Sequence, residues 1–344
     1  MDGFITVLAD YGLFLAKALT IVVAIGVILS WIVSAAHQMR QMSGETLEVR
    51  NVNERFQQMA ETVYSQTLDK AERKARAKEK KAEAKQKAKA AKLGKSPEKS
   101  RLFVLDFEGD IRASAVANLR EEISAILMVA QAKDEVLIKL ESPGGMVHSD
   151  GLAASQLRRL RDNGITLTAS VDKLAASGGY LMACVADKIV AAPFAIIGSI
   201  GVVAQLPNFN RLMKEKNIDF EMHTAGNHKR TLTMLGENTD EGRAKFRQEL
   251  EETHGLFKDF VSQNRMELDI EKVATGEHWY GTQAVGLKLI DELQTSDDYL
   301  LAANKEEREI FAVTYKTKAT LVDKLSENVA AGVRRATDAI MSRG

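Results

Sequence analysis

A single cysteine, Cys184, in 344 residues excludes an internal disulfide. It lies in an apolar run, where a buried, inert thiol is the expected state. Net charge is also absent, with 47 Lys+Arg against 47 Asp+Glu. Histidine is sparse, and none occurs between His148 and His223. No Cys/His cluster has zinc-ligand spacing, and no glycine-rich loop has nucleotide-binding spacing. Chemistry without metal or cofactor is therefore expected. The length suits one large domain with extensions, or two domains, and no internal repeat is present.

The zero charge hides a segregation. Residues 70–101 hold 14 Lys+Arg against 4 Asp+Glu, a surplus of +10, and the rest of the chain carries −10. A basic arm beside a mildly acidic body is the reading. The arm, "DKAERKARAKEKKAEAKQKAKAAK", favours helix and has no apolar stripe. It lacks the interleaved aromatics of a single-strand binder, so no nucleic-acid partner is expected. Anionic lipid heads are the better partner for such an arm near a membrane.

A membrane is expected because Ala18 to Ala36 is a run of 19 residues without a charge, long enough to span a bilayer. Asp2 and Asp10 argue against a cleavable signal peptide. Residues 1–40 are thus an anchor, and residues 41–101 a charged helical spacer. Within the spacer, Val49, Val52, Phe56, Met59 and Val63 form a short heptad stripe. Such a stripe either pairs two chains or packs on its own domain. Arg40, Arg50 and Arg55 after the span lean towards a cytoplasmic body.

From Leu102 the texture changes. "LFVLDFEG", "EVLIKLESPGG" and "ITLTASVD" read as strands, with "ANLREEISAILMVAQA" and "SDGLAASQLRRLRDNG" as helices between them. This alternation predicts an α/β domain over residues 102–317. Ile189 to Leu206 is uncharged, but Pro193, Gly198, Ser199 and Gly201 make it a strand, turn and strand rather than a second span. "ATGEHWYGTQAVGLKLIDEL" reads as a turn and a helix, and "REIFAVTY" as a late strand. Residues 318–344 form a helical tail.

Three glycine-bearing turns carry the chemistry. "ESPGG" follows a strand, and its backbone N–H groups can approach a ligand closely. "AASGGY" sets Ser177 at a helix start, where unpaired N–H groups favour negative charge. Gly145 and Gly178 N–H are the candidate oxyanion donors. "IGSIGV" adds Ser199. A serine nucleophile needs a base. Lys229 is a sensible one, since a desolvated lysine loses its proton, yet spacing alone does not select it among 47 basic residues. His148 and His223 are weaker options, His223 being expected on a strand ending "IDFEMHT".

The ordered set "ESPGG", "AASGGYLMACVADKIVA", "GSIGV", "HKR" and "TGEHWYGTQAVGLKLIDEL" resembles the bacterial signal peptide peptidase A family, in its short, single-domain, membrane-anchored branch. The resemblance implies a ClpP/crotonase-like fold and a Ser–Lys dyad endopeptidase. By position it implies Ser177 as nucleophile, Lys229 as general base, Ser199 as the hydroxyl that orients the lysine, and Gly145 and Gly178 as oxyanion donors. The family often has an aromatic residue before the lysine, and this chain has His228. The resemblance also implies a homo-oligomer, peptide substrates rich in apolar or small residues, and a body on the outer face of the cytoplasmic membrane, against the arginine count. Two alternatives stand beside it: a crotonase-type acyl-CoA enzyme, which shares strand–glycine oxyanion turns, and a non-catalytic membrane scaffold.

Overall fold

The computed structural model describes residues 46–92, 99–226 and 228–316. The Ala18–Ala36 run and the 318–344 tail lie outside them. Among the described residues, no helix is long and apolar enough to cross a membrane. Residues Glu48–Thr314 form one compact unit. Of a second unit, residues 46–47 and 315–316 are described, as strand ends.

The chain opens with β1 (Thr46–Asn51), α1 (Val52–Thr67) and α2 (Lys70–Lys92). Asp69 caps α2, its Oδ1 accepting the amides of Ala71 and Glu72. The basic helix then runs back along α1: the Arg76 guanidinium lies 3.7 Å above the Tyr64 ring, and Lys80 pairs with Glu61 at 3.0 Å. The segment expected as a spacer is thus a helical hairpin, and β1 enters the sheet before it. The heptad stripe divides. Val52 and Phe56 pack on the body's small apolar cluster, while Val49, Met59 and Val63 are exposed. Asn53 fastens this end, its Oδ1 accepting the Ile310 amide at 2.7 Å and its Nδ2 donating to the Arg308 carbonyl at 2.9 Å.

The body alternates as its apolar runs predict. β2 (Arg101–Glu108), α3 (Val116–Leu127), β3 (Glu135–Glu141), α4 (Val147–Asp162) and β4 (Thr166–Val171) follow in order. Leu102 to Leu105 and Val136 to Ile138 are buried without a break, as strands of a parallel sheet covered on both faces must be. α4 ends at Gly164, whose φ of +73° reverses the chain. Next come β5 (Leu174–Ala176), α5 (Gly178–Ala183), β6 (Lys188–Ala191) and β7 (Ile196–Gly198). The uncharged 189–206 stretch is therefore two strands, one in each sheet, and not a span.

The rest comprises α6 (Asn210–Glu215), α7 (Asp240–Asn264), α8 (Ile270–Val273), β8 (His278–Tyr280), α9 (Gly281–Ala284), β9 (Glu292–Leu293), α10 (Ser296–Lys305) and β10 (Glu309–Lys316). The stretch expected as a turn and a helix is instead a short strand, a single helical turn and a second short strand. Seven strands pair in the order β1-β10-β2-β3-β4-β6-β9, and β5-β7-β8 form a small second sheet. The main core lies between the large sheet, α3, α4 and α5. This mixed α/β architecture with a large parallel sheet is consistent with a ClpP-like peptidase.

Candidate active site

Three chain reversals meet where β3, β5 and β7 end. The first begins at Ser142, which bridges to Ala175; its amide donates to the Leu174 carbonyl and its carbonyl accepts the Ala176 amide, both at 3.0 Å. Ser142 Oγ accepts the Gly144 amide at 3.1 Å, which turns the chain sharply. Gly144 has φ +81°, and a Cβ there would lie 2.7 Å from both the Ala176 carbonyl oxygen and the Gly178 nitrogen, and 2.8 Å from Ser177 Cβ. Glycine is required at that contact. It brings the "SPGG" turn directly against the "ASGG" turn.

Ser177 occupies the second reversal, at φ 53° and ψ −119°. A non-glycine residue held there is strained by on the order of 1–3 kcal/mol. A sharp strand-to-helix turn also presents the serine of the α/β-hydrolase nucleophile elbow. Its own amide is occupied, donating to the Gly198 carbonyl at 2.7 Å. The next amide, that of Gly178, opens α5 and has no carbonyl within the helix to bond. Ser177 remains partly accessible while Gly178, Gly179 and Tyr180 are buried.

The third reversal holds Ser199. β5 and β7 run parallel with Ala176 opposite Gly198, so Ser177 and Ser199 leave neighbouring strands at the same level. Ser199 is also at positive φ, 51°. Its amide donates to the Glu277 carbonyl at 2.7 Å, and its Oγ reaches the Gly276 carbonyl at 3.4 Å. The 275–278 turn thus supports this strand, a role not visible in the sequence.

The structure brings together Ser177, Ser199, Gly145 and Gly178. Among the described residues, Lys229 has no hydrogen bond to them. It is exposed, in a stretch without helix or strand, and its amide donates to the Gly226 carbonyl at 3.2 Å. His148 is exposed, and His223 lies in exposed chain beside Glu221 rather than on a strand. Cys184 is fully buried, and burial pushes its thiol up to about 12, so the expected inert state holds.

One residue beneath the turns was missed by sequence reasoning. Asp150 lies on the core stripe of α4 with Ala153, Ala154 and Leu157, and is fully buried. A Cβ on Gly178 would overlap its Oδ2. A carboxylate on an otherwise apolar helical stripe was the available signal.

Comparison with known proteins settles the family. A model of the peptidase family S49 N-terminal region matches residues 6–157, and one of peptidase family S49 matches residues 159–310. The chain belongs to peptidase family S49. It is 53% identical to a probable protease SohB of Haemophilus influenzae, over 92% of each chain. It is 50% identical to a probable protease SohB of Buchnera aphidicola subsp. Schizaphis graminum, over 90% of each. It is 59% identical to that of Buchnera aphidicola subsp. Acyrthosiphon pisum, over 67% of this chain and 68% of the relative. For an S49 peptidase, the meeting of the three turns at Ser177 is where peptide-bond chemistry is to be sought.

Proposed function

We propose that this S49 peptidase is a membrane-anchored serine endopeptidase working through a Ser177–Lys229 dyad. The observation that carries the reading is the position of Ser177: on a strained turn, beside Ser199, with the Gly178 amide at a helix start and the "SPGG" turn pressed against it. Neutral Lys229 takes the proton as Ser177 Oγ attacks a peptide carbonyl. Gly145 and Gly178 N–H hold the oxyanion. The lysine then protonates the leaving amine, and water repeats the cycle on the acyl-enzyme. Ser199 orients the amine.

Lys229 is exposed in the single chain, and a lysine serves as a base where the protein desolvates it. Residues 203–235 carry many exposed apolar side chains, among them Val203, Phe209, Leu212 and Ile218. A homo-oligomer that buries this arm would also desolvate Lys229 and complete the site, either within one copy or across two. Substrates are extended peptides of apolar or small residues, including membrane-protein or signal-peptide remnants, laid alongside residues 199–204. Residues 18–36 anchor the chain in the bacterial cytoplasmic membrane, with the peptidase domain on its outer face and the basic helix near lipid heads.

A fluorophosphonate probe tests the dyad. Ser177 is expected to be labelled in the full chain, and labelling to vanish in Ser177→Ala and in Lys229→Ala. Undiminished labelling of either variant removes the proposal. Mixing the two inactive variants tests the assembly: recovered peptidase activity places the serine and lysine of one site on different copies.

A further inference from the structure

Asp150 is the one fully buried carboxylate of the main core with both oxygens unpartnered among the described residues. Its Oδ2 faces the Cα of Gly178 so closely that no side chain fits there. The Gly145 amide is near enough to favour its charge, although no hydrogen bond of normal geometry joins them. The carboxyl thus lies near both proposed oxyanion donors, against the Cα of Gly178 and close to the Gly145 amide. Its neutral and charged forms present different fields to the same two amides.

We infer that Asp150 is a positioning residue whose protonation sets the strength of the oxyanion hole: the neutral acid leaves the Gly145 amide free, and the carboxylate competes for it and repels the oxyanion. This inference rests on the Ser177 and oxyanion assignments above. Repulsion between two negative charges is strong in a dry interior, where water does not screen it. The competition arises because an amide polarised towards one anion serves a second less well.

Burial pushes the Asp150 carboxyl up to about 6; the Gly145 amide and His148 oppose the rise, and Asp110 adds to it. Asp110 faces it from the turn before α3, and His148 from its own helix. α5 brings one oxygen acid, Tyr180, whose hydroxyl donates to the Leu289 carbonyl, and the inert Cys184 follows it. α3, packed on α4, carries Arg120, Glu121 and Glu122, and β4 carries no charge. Asp150 therefore changes charge within the range where cells live, and the acid form is the permissive one.

The test is the rate of fluorophosphonate labelling at Ser177 across pH, in the full chain in detergent. Asp150→Asn keeps the shape and removes the charge. Its rate divided by the wild-type rate is expected near one at acid pH and to rise to about tenfold on the alkaline side of the Asp150 transition. Asp150→Ala, checked for folding by thermal melting, is expected to show the same rise. Asp110→Asn keeps Asp150 and is expected to move the wild-type departure to lower pH. A ratio independent of pH in the folded Asp150 variants overturns the inference, as does an unmoved departure in Asp110→Asn. Wild-type protein that fails to label at Ser177 overturns the serine reading instead, and this inference with it. A merely structural aspartate would lower the rate at all pH values alike.

Discussion

The Ser177 amide donates to the Gly198 carbonyl at 2.7 Å, so the backbone that bears the proposed nucleophile is tied to the strand that bears Ser199. The bond removes the Ser177 amide from the list of oxyanion donors. It also fixes the spacing of the two hydroxyl-bearing turns, since both residues sit at positive φ on the ends of paired strands. Disturbing any of the three turns should therefore disturb all of them.

Gly144→Ala tests that coupling. The new methyl would press on two backbone atoms that cannot rotate away, at a φ unfavourable to alanine. The expected loss is at least about 2 kcal/mol of stability, together with Ser177 labelling. Urea unfolding and probe labelling measure the two. Wild-type values of both would show that the turns are not locked together.

Peptidase activity should need, at position 229, a side chain that can take up the Ser177 proton. Lys229→Arg, which cannot deprotonate, should be inactive at every pH. A pH–rate profile measured on a quenched fluorescent peptide decides this. Activity in the arginine variant would assign the base elsewhere.

Asp150 also makes stability depend on pH. Its folded value, about 6, lies above the ordinary carboxyl value of 3.8, so the unfolded chain releases the proton first. Its contribution is whole below the ordinary value, falls as pH rises between the two, and is gone above the folded value. The total is on the order of 3 kcal/mol. Asp150→Asn should flatten stability between those two values, as read from urea midpoints. An unchanged slope would mean that the carboxyl is not held neutral.

Asp134 should behave in the opposite sense. Burial opposes its charge, but hydrogen bonds from the Arg101 side chain and amide and from the Gln131 amide outweigh it and hold the carboxyl below its usual value. Its contribution is present above the ordinary carboxyl value and is lost as pH falls through the lowered one. Asp134→Asn should therefore cost stability at neutral pH and little in strong acid, measured by the same midpoints.

Asn53→Ala should loosen the α1 hairpin from the body. It leaves the Ile310 amide without its side-chain acceptor and the Arg308 carbonyl without a donor. About 1–3 kcal/mol is the expected cost. Hydrogen exchange at Ile310 should quicken by far more than exchange in β3.

The strands and helices of the body were legible because their apolar runs are buried on one or both faces. The glycine turns were legible because close backbone approach demands glycine. α7 buries only Phe257 and Val261, near its end, and its first turns present a polar surface without an apolar stripe to read. The helical hairpin was hidden because Tyr64–Arg76 and Glu61–Lys80 contacts have no apolar period. Asp150 could have been found, as an acid in step with Ala153, Ala154 and Leu157. Lys229 could not be selected by its spacing, which does not set it apart from the other basic residues.

The order in which the chain enters the sheet gives the basic helix an unexpected character. β1 joins the sheet ahead of α1 and α2, and β2 joins it after them. The Lys-rich helix is therefore a handle with both feet on one body. A tryptic nick among residues 78–92 would cut the handle without releasing the N-terminal piece, which Val52, Phe56 and Asn53 still grip. Such a nicked molecule should migrate as two bands when denatured and as a single particle when native.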